Sequence, residues 1–550
     1  MEAFIVLLKV LWEIFKIMKT LNLLFNVLYI SIVLIFPGCI HAQDSFSRWN
    51  RCYVEGQDSI DTNNVFRTYS VPKDYPYLEE HSPFNVSVNH SYIGLYTDKN
   101  VWGKCVTFAS FDFENGKEVE IEIAFKDSIN SFEVLPGNAI FTNIQQSSAN
   151  SISLKLKKTD QPLTFVINGE YQGDVLHLFC NSIDSMVPLV SDSSGYIYDS
   201  KQELYYFGPG FHKLANYFPN GTLSISGNQK IYVSGGAVLE GQLRVNNGKG
   251  VKIYGRGMVM NAKPEIVLSI DNSLGSCNVE GIIIHGHRAQ CWCTTMSKSS
   301  NVNFSNIKVL TTRYASTDGI DIINCSDCEF DNVFVRSCDD AIAIKGLAPE
   351  TQDPADCLPN KNLIFRKMQL WNDCNNAFGI GAETRASVYE NIQLLDSEVL
   401  YSYDDPYHHT ELDERSAMNI CALQGTYFKN ILFQNIRVNR CERLIGMGFK
   451  NDFWFGSIQG NQSYNGGIDN VIFRNITCEK NSGSSIANEI WLYGWQKEGT
   501  PQKKLTNIFF DNVRIEGHLL KDDHYSGFRT NNVTGNTLVN YRFINTHLNQ

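Results

Sequence analysis

The sequence predicts an all-β chain: a right-handed parallel β-helix preceded by an N-terminal β-sandwich domain. Two observations carry this. From about residue 200 onward, short β-rich segments recur with one signature, an Asn followed by alternating apolar residues, and no long helical periodicity separates them. Before that point the apolar residues alternate with polar ones at period two, the pattern of half-buried antiparallel strands.

The elements follow in order. Lys16 and Lys19 precede an apolar run from Leu21 to Phe36, and Ile40-His41-Ala42 follows. This reads as a signal peptide over residues 1–42, with Met18 as an alternative start. Cys39 after Pro37-Gly38 offers a rival reading as a lipid attachment site, and an uncleaved anchor is a third. The product is expected to be secreted or periplasmic, surface-anchored if Cys39 is lipidated. Residues 43–190 form the sandwich, as in Val119-Glu-Ile-Glu-Ile-Ala124 and Ile152-Ser-Leu-Lys-Leu156, and Ser191–Gly195 reads as a linker or turn. Residues 191–550 form the β-helix. Its signature recurs at Asn306, Asn332, Asn391, Asn435, Asn475 and Asn512, with earlier coils at Ile231–Leu239 and Val251–Gly257. Residues 347–361 and 400–415 are insertions, which on a solenoid tend to gather on one face, often the binding face.

Composition narrows the function. The net charge is −11, and Lys and Arg form no basic run, which disfavours nucleic acid and anionic membranes as partners. There are 15 Cys in the chain. Cys325/Cys328 and Cys291/Cys293 lack a second pair at zinc spacing, so buried core packing is the favoured reading. Asn-x-Ser/Thr sequons occur, at Asn85 and Asn220 for example, and matter only in a host that glycosylates.

A column of carboxylates carries the chemistry. Asp318-Gly-Ile-Asp-Ile322 superposes on Asp340-Ala-Ile-Ala-Ile344, then on Asn376–Ile380 and more weakly on Ser416–Ile420. The isoleucines point inward. Strict alternation would bury the leading residues too, and bare carboxylates cannot stay there unpaired. A corner before each strand is therefore expected to turn Asp318, Asp340, Asn376 and Ser416 outward. Neighbouring coils lie about 4.8 Å apart, and Asp339 adjoins Asp340, so three carboxylates share one small surface. The short motif holds no Lys or Arg, although Lys345 and Arg313 are close in sequence. Crowded like charges push at least one pKa upward, which gives the acid and base that glycosidic hydrolysis needs. Turn aspartates explain one Asp but not the stacked dyad, and a calcium site is the intermediate reading.

Ser316-Thr-Asp-Gly319 followed by Cys338-Asp-Asp-Ala341 resembles the paired aspartate motifs of the polygalacturonases, glycoside hydrolase family 28. It equally resembles those of glycoside hydrolase family 49, the dextranase and isopullulanase family. The resemblance spans about residues 190–480. It implies an inverting glycosidase with Asp339 as general acid, and with Asp318 and Asp340 holding and activating water. Two cationic motifs of the polygalacturonases are absent: their His falls at Asn376, and their Arg-Ile-Lys falls at Asn419, Ile420 and Cys421. A uronate needs charge-assisted partners, so a neutral glycan fits better. The sandwich before the β-helix, Asp340–Lys345 and the Trp-led segment Trp371–Asn376 resemble family 49, which favours an α-glucan such as dextran.

Further candidates for binding sugar are Asn376, Lys345, Tyr314, Trp292 and His287. Glu383 is near the motif, and Tyr401, Tyr403, Tyr407, His408 and His409 lie in an insertion that could wall a cleft. The reading requires no cofactor or metal, only a polysaccharide or oligosaccharide substrate, and a monomer is expected. Alternatives are a polygalacturonase-like hydrolase of pectic glycans, a polysaccharide lyase, for which the column lacks a cationic base, and a non-catalytic carbohydrate-binding solenoid.

Overall fold

The computed structural model describes residues 59–60, 65–77, 82–287, 292–349, 352–403, 410–423, 426–450, 452–453, 456–457, 466–479, 488–496, 501–532 and 537–546. The chain divides into two compact units, Met1–Val54 and Glu55–Gln550. The first of these, with the leader segment over 1–42, lies outside the described residues.

Two sheets precede the solenoid. Val119–Phe125 has the buried-exposed alternation that its sequence predicts, and it pairs antiparallel with Ser151–Leu156 through Ile123↔Ile152. One pairing departs from the antiparallel expectation. Val175–Ser182 runs parallel to Cys105–Phe113, with Val175↔Val106. Both strands are buried along nearly their whole length, because the solenoid covers their outer side. Val106, Phe108, Val175 and Phe179 pack there on Met258, Ile283, Leu310, Phe334 and Trp371. A strand buried on both faces shows no alternation, so its partner and direction are not legible from period alone.

The solenoid is a right-handed parallel β-helix. Each early coil gives two strands to a 21-stranded sheet and one to an 11-stranded sheet. Strands Thr294–Ser297, Val302–Ser305 and Lys308–Thr311 make one coil, and Ile320–Ile323 begins the next on top of the first. Apolar side chains fill the bore, with stacked aromatics running up it. Phe433, Phe473 and Phe510 stand 5.0 and 5.5 Å apart between ring centres.

The recurring Asn is the corner residue of the coil. Asn306, Asn332, Asn391, Asn435, Asn475 and Asn512 all adopt φ between 52° and 57°. This left-handed region is one that Asn tolerates better than other side chains with a Cβ. The amides also stack from coil to coil: Asn475 Nδ2 donates to Asn435 Oδ1 at 3.0 Å, and Asn512 Nδ2 donates to Asn475 Oδ1 at 3.0 Å.

Candidate active site

The 11-stranded sheet positions the carboxylates. Ile320 pairs with Ile342, Ile342 with Phe378 and Phe378 with Met418. That register sets Asp318, Asp340, Asn376 and Ser416 in one column, two residues before each strand pairing. Trp292 occupies the same place one coil earlier, since Thr294 pairs with Ile320. The isoleucines at 320, 322, 342 and 344 belong to the apolar bore.

Asp318, Asp339 and Asp340 line a cavity of about 820 Å³ together with Trp292, Lys345 and Asn375. Its far wall is Glu383, Glu411, Asp413, Glu414 and Lys450. The described part of the 400–415 insertion thus supplies three acids to this wall. The cavity is acidic, and both lysines are engaged. Lys345 Nζ lies 2.5 Å from Asp318 Oδ2 and 2.8 Å from Asp321 Oδ1. Lys450 Nζ lies 2.8 Å from Glu411 Oε2 and 2.6 Å from Asp413 Oδ1.

The trio is held by amides from the next coil. Asp339 Oδ1 accepts from Asn375 Nδ2 at 2.7 Å and from the Asp340 N–H at 2.9 Å. Asp340 Oδ1 accepts from Asn376 Nδ2 at 3.0 Å and from the Asn376 N–H at 3.1 Å. Burial, then the negative charge of Asp318, pushes the Asp339 carboxyl above its ordinary range. The same causes, with Asp339 added, push Asp340 well above it.

Several sequence expectations are corrected. Asp318 is not without a counter-ion: the register sets Lys345 against Ile323, in the coil that carries Asp321, and its ammonium reaches back to Asp318. Burial by itself would lower the Lys345 pKa, but Asp321 and Asp318 hold it well above the ordinary value. Asn376 is buried behind Asp340; its Nδ2 also donates to Asp413 O, and its Oδ1 accepts from the Ser416 N–H. It positions an acid and does not line the cavity. Tyr314 is 37% exposed and also stands outside the lining. Trp292 and Lys345 do line it, with Lys345 Nζ 4.0 Å from the centre of the Trp292 ring. Glu383 lines it as well.

His287 lies elsewhere, buried against the N-terminal sheets. Its Nδ1 is 3.1 Å from Asp98 Oδ2, and His285 Nε2 is 3.3 Å from the same oxygen. Arg313 Nη2 holds Asp98 Oδ1 at 2.5 Å. The Asp98 carboxyl sits at about 2, because the His287 hydrogen bond and the charges of both histidines and Arg313 outweigh its burial. These donor types could hold a metal ion. The guanidinium already supplies the countercharge, however, and a divalent ion would sit beside it in a dry site. The cluster is therefore an ion network that ties the two parts of the fold together. Tyr401 and Tyr403 are likewise buried under the N-terminal sheets, Tyr401 stacking on Trp371 at 5.0 Å and on Tyr171 at 5.5 Å. Tyr407, His408 and His409 lie outside the described residues. Every described cysteine is buried except Cys374, which is half-buried.

Residues 211–399 match the model of glycosyl hydrolases family 28. The match covers the middle of the solenoid, and the fold is the one that β-helix glycoside hydrolases share. No curated protein matches the sequence. Among solved structures, Dex49A from Penicillium minioluteum has the same fold, at 12% identity and a TM-score of 0.59, over 89% of this chain and 100% of that one. A weaker likeness is the family 28 exopolygalacturonase of Yersinia enterocolitica, 11% identical with a TM-score of 0.39, over 78% of this chain and 96% of that one. Another is the catalytic unit of a GH87 α-1,3-glucanase from Streptomyces thermodiastaticus, 12% identical with a TM-score of 0.30, over the same shares.

Proposed function

We propose that this protein is a secreted, inverting glycoside hydrolase that cleaves a neutral polysaccharide, an α-glucan such as dextran. The charge of the cavity carries the reading. Seven carboxyl side chains line it against two lysines, and each lysine already pairs with two acids. No cation among the described lining residues is left for a substrate carboxylate, and a uronate would enter a field of its own sign. Hydroxyl-rich neutral sugars meet acceptors instead, with Trp292 as a face to stack on.

In this reading Asp339 protonates the glycosidic oxygen. Burial and the neighbouring Asp318 help it keep its proton, and the Asn375 amide fixes its direction. Asp318 and Asp340 hold the attacking water on the other side of the bond, as inverting chemistry requires. The Lys16–Ala42 leader supports export, and the enzyme acts as a monomer.

Incubation of the purified mature protein with dextran, pullulan and polygalacturonate, followed by assay of new reducing ends, tests the proposal. Release is expected from a neutral glucan, insensitive to chelator, with a product of inverted anomeric configuration by NMR. Release from polygalacturonate alone would overturn the neutral-substrate reading, and binding without cleavage of any glycan would favour a carbohydrate-binding solenoid.

A further inference from the structure

A fourth aspartate lies under the cavity. Asp321 sits between the inward-facing Ile320 and Ile322, with Thr295 and Ala343 beside it in the adjoining coils. It is fully buried and does not line the cavity, unlike Asp318.

The contacts of Asp321 leave one thing unaccounted for. Lys345 lies 2.8 Å from its Oδ1. Apart from that ammonium, no hydrogen-bond donor among the described residues reaches either carboxyl oxygen. Its other polar neighbour is the Asp318 carboxyl, which is also an acceptor. Two carboxylates in contact cannot both be ionised, so one of them carries a proton. Asp318 opens on the cavity, where solvent can reach its charge, whereas Asp321 is closed off from it. Ionising the deeper group costs more.

We infer that Asp321 is a neutral carboxylic acid in the working enzyme, that it donates its O–H to Asp318, and that with Lys345 it keeps Asp318 ionised and oriented towards the cavity. Asp321 is then a positioning residue. The trio of neutral Asp321, Lys345 ammonium and Asp318 carboxylate carries no net charge. Burial, opposed by Lys345 and reinforced by Asp318, holds the Asp321 carboxyl well above its ordinary range. The other charged groups facing the trio are Asp340, Asp339 and Glu383. The catalytic consequence rests on the role proposed above for Asp318, but the protonation of Asp321 does not.

Two measurements separate these claims. The first is infrared difference spectroscopy of the full protein at neutral pH, wild type minus Asp321→Asn, with no substrate. Loss of a protonated-carboxyl stretch is expected, and loss of carboxylate bands would overturn the inference. The second is the pH dependence of kcat/KM. Asp321→Leu removes the donor to Asp318 and is expected to move the acidic limb up by about one pH unit or more. Lys345→Met moves it the same way, with kcat falling more than KM changes. Asp321→Asn keeps a donor and adds no charge, so it should lower kcat less than the Leu variant and leave the limb in place. A downward shift in Asp321→Asn would mean that a negative charge had been removed, and the inference would fail. A wild type that cleaves no glycan sinks the proposed function while leaving the infrared result to decide the protonation.

Discussion

Replacing Asp339 by Asn is expected to lower kcat on the cleaved glycan by about 10²- to 10⁴-fold, the usual contribution of a general acid, with KM changed little. Asn has nearly the same volume, and its carbonyl can still accept from Asn375 and from the Asp340 N–H. What it lacks is the proton for the leaving oxygen. The same variant carries a stability signature. The folded state raises the Asp339 pKa, chiefly through burial, so between the unfolded and folded values the native protein binds more protons. Its stability therefore falls as pH rises through that window. Asp339→Asn escapes this cost, so its Tm should exceed that of the wild type at neutral pH. The gain should vanish below the unfolded carboxyl value of about 3.9. Thermal melts across pH, read beside the kinetics, check both parts. An active, unstabilised variant would remove Asp339 from the acid role.

The largest loss of stability is expected from Asp373→Ala, about 3–5 kcal/mol in denaturant unfolding. Asp373 and Arg336 form an ion pair with both side chains at 0% exposure. Arg336 Nε and Nη2 each lie 3.2 Å from the carboxylate, Nη1 contacts His177 Nε2 at 3.1 Å, and the guanidinium covers Trp371 at 4.6 Å. Burial keeps His177 well below its ordinary pKa, with the Arg336 charge adding to the effect, so the ring is neutral and cannot replace the anion. The substitution strands a guanidinium between the solenoid and the sheets that cover it, and the Trp371 indole N–H loses its 2.7 Å acceptor. Asp373 also begins the turn whose Asn375 and Asn376 amides hold the Asp339 and Asp340 carboxyls, so under the proposed function activity should fall in parallel. A loss below about 1 kcal/mol would show that Arg336 is compensated by other groups.

Some of this was legible in the sequence and some was not, for identifiable reasons. A solenoid repeats its geometry, so one alignment of Asp318, Asp340, Asn376 and Ser416 translated directly into register. The Asn signature marked the coil corners, although its cause, a left-handed backbone, is conformational and emerges only in three dimensions. The contacts that cross between the parts of the chain stayed hidden. Asp98 meets His287 and Arg313 across about 200 residues of sequence, and no periodicity encodes such a meeting. His287, Tyr401 and Tyr403 read as cleft residues because aromatic and polar side chains beside a motif suggest a binding face. Here that face is the one covered by the N-terminal sheets. Asp321 escaped notice because the alternation of its strand, which correctly sends its isoleucines inward, says nothing about what lies on the other side.

The stacked Asn corners bear on the choice of expression host. Asn475-Ile-Thr477 is an N-glycosylation sequon. Yet the amide nitrogen that would carry the sugar already donates to Asn435, and its oxygen receives Asn512. A glycan attached there before folding would leave that nitrogen a single N–H and set a bulky sugar against the rungs on either side. Asn220, exposed at a turn with φ of 57°, can carry one without disturbing any packing. Material made in a glycosylating cell is therefore expected to be heterogeneous at Asn475 in proportion to how slowly the last coils close. Removing that sequon at Thr477 rather than at the asparagine would spare the fold.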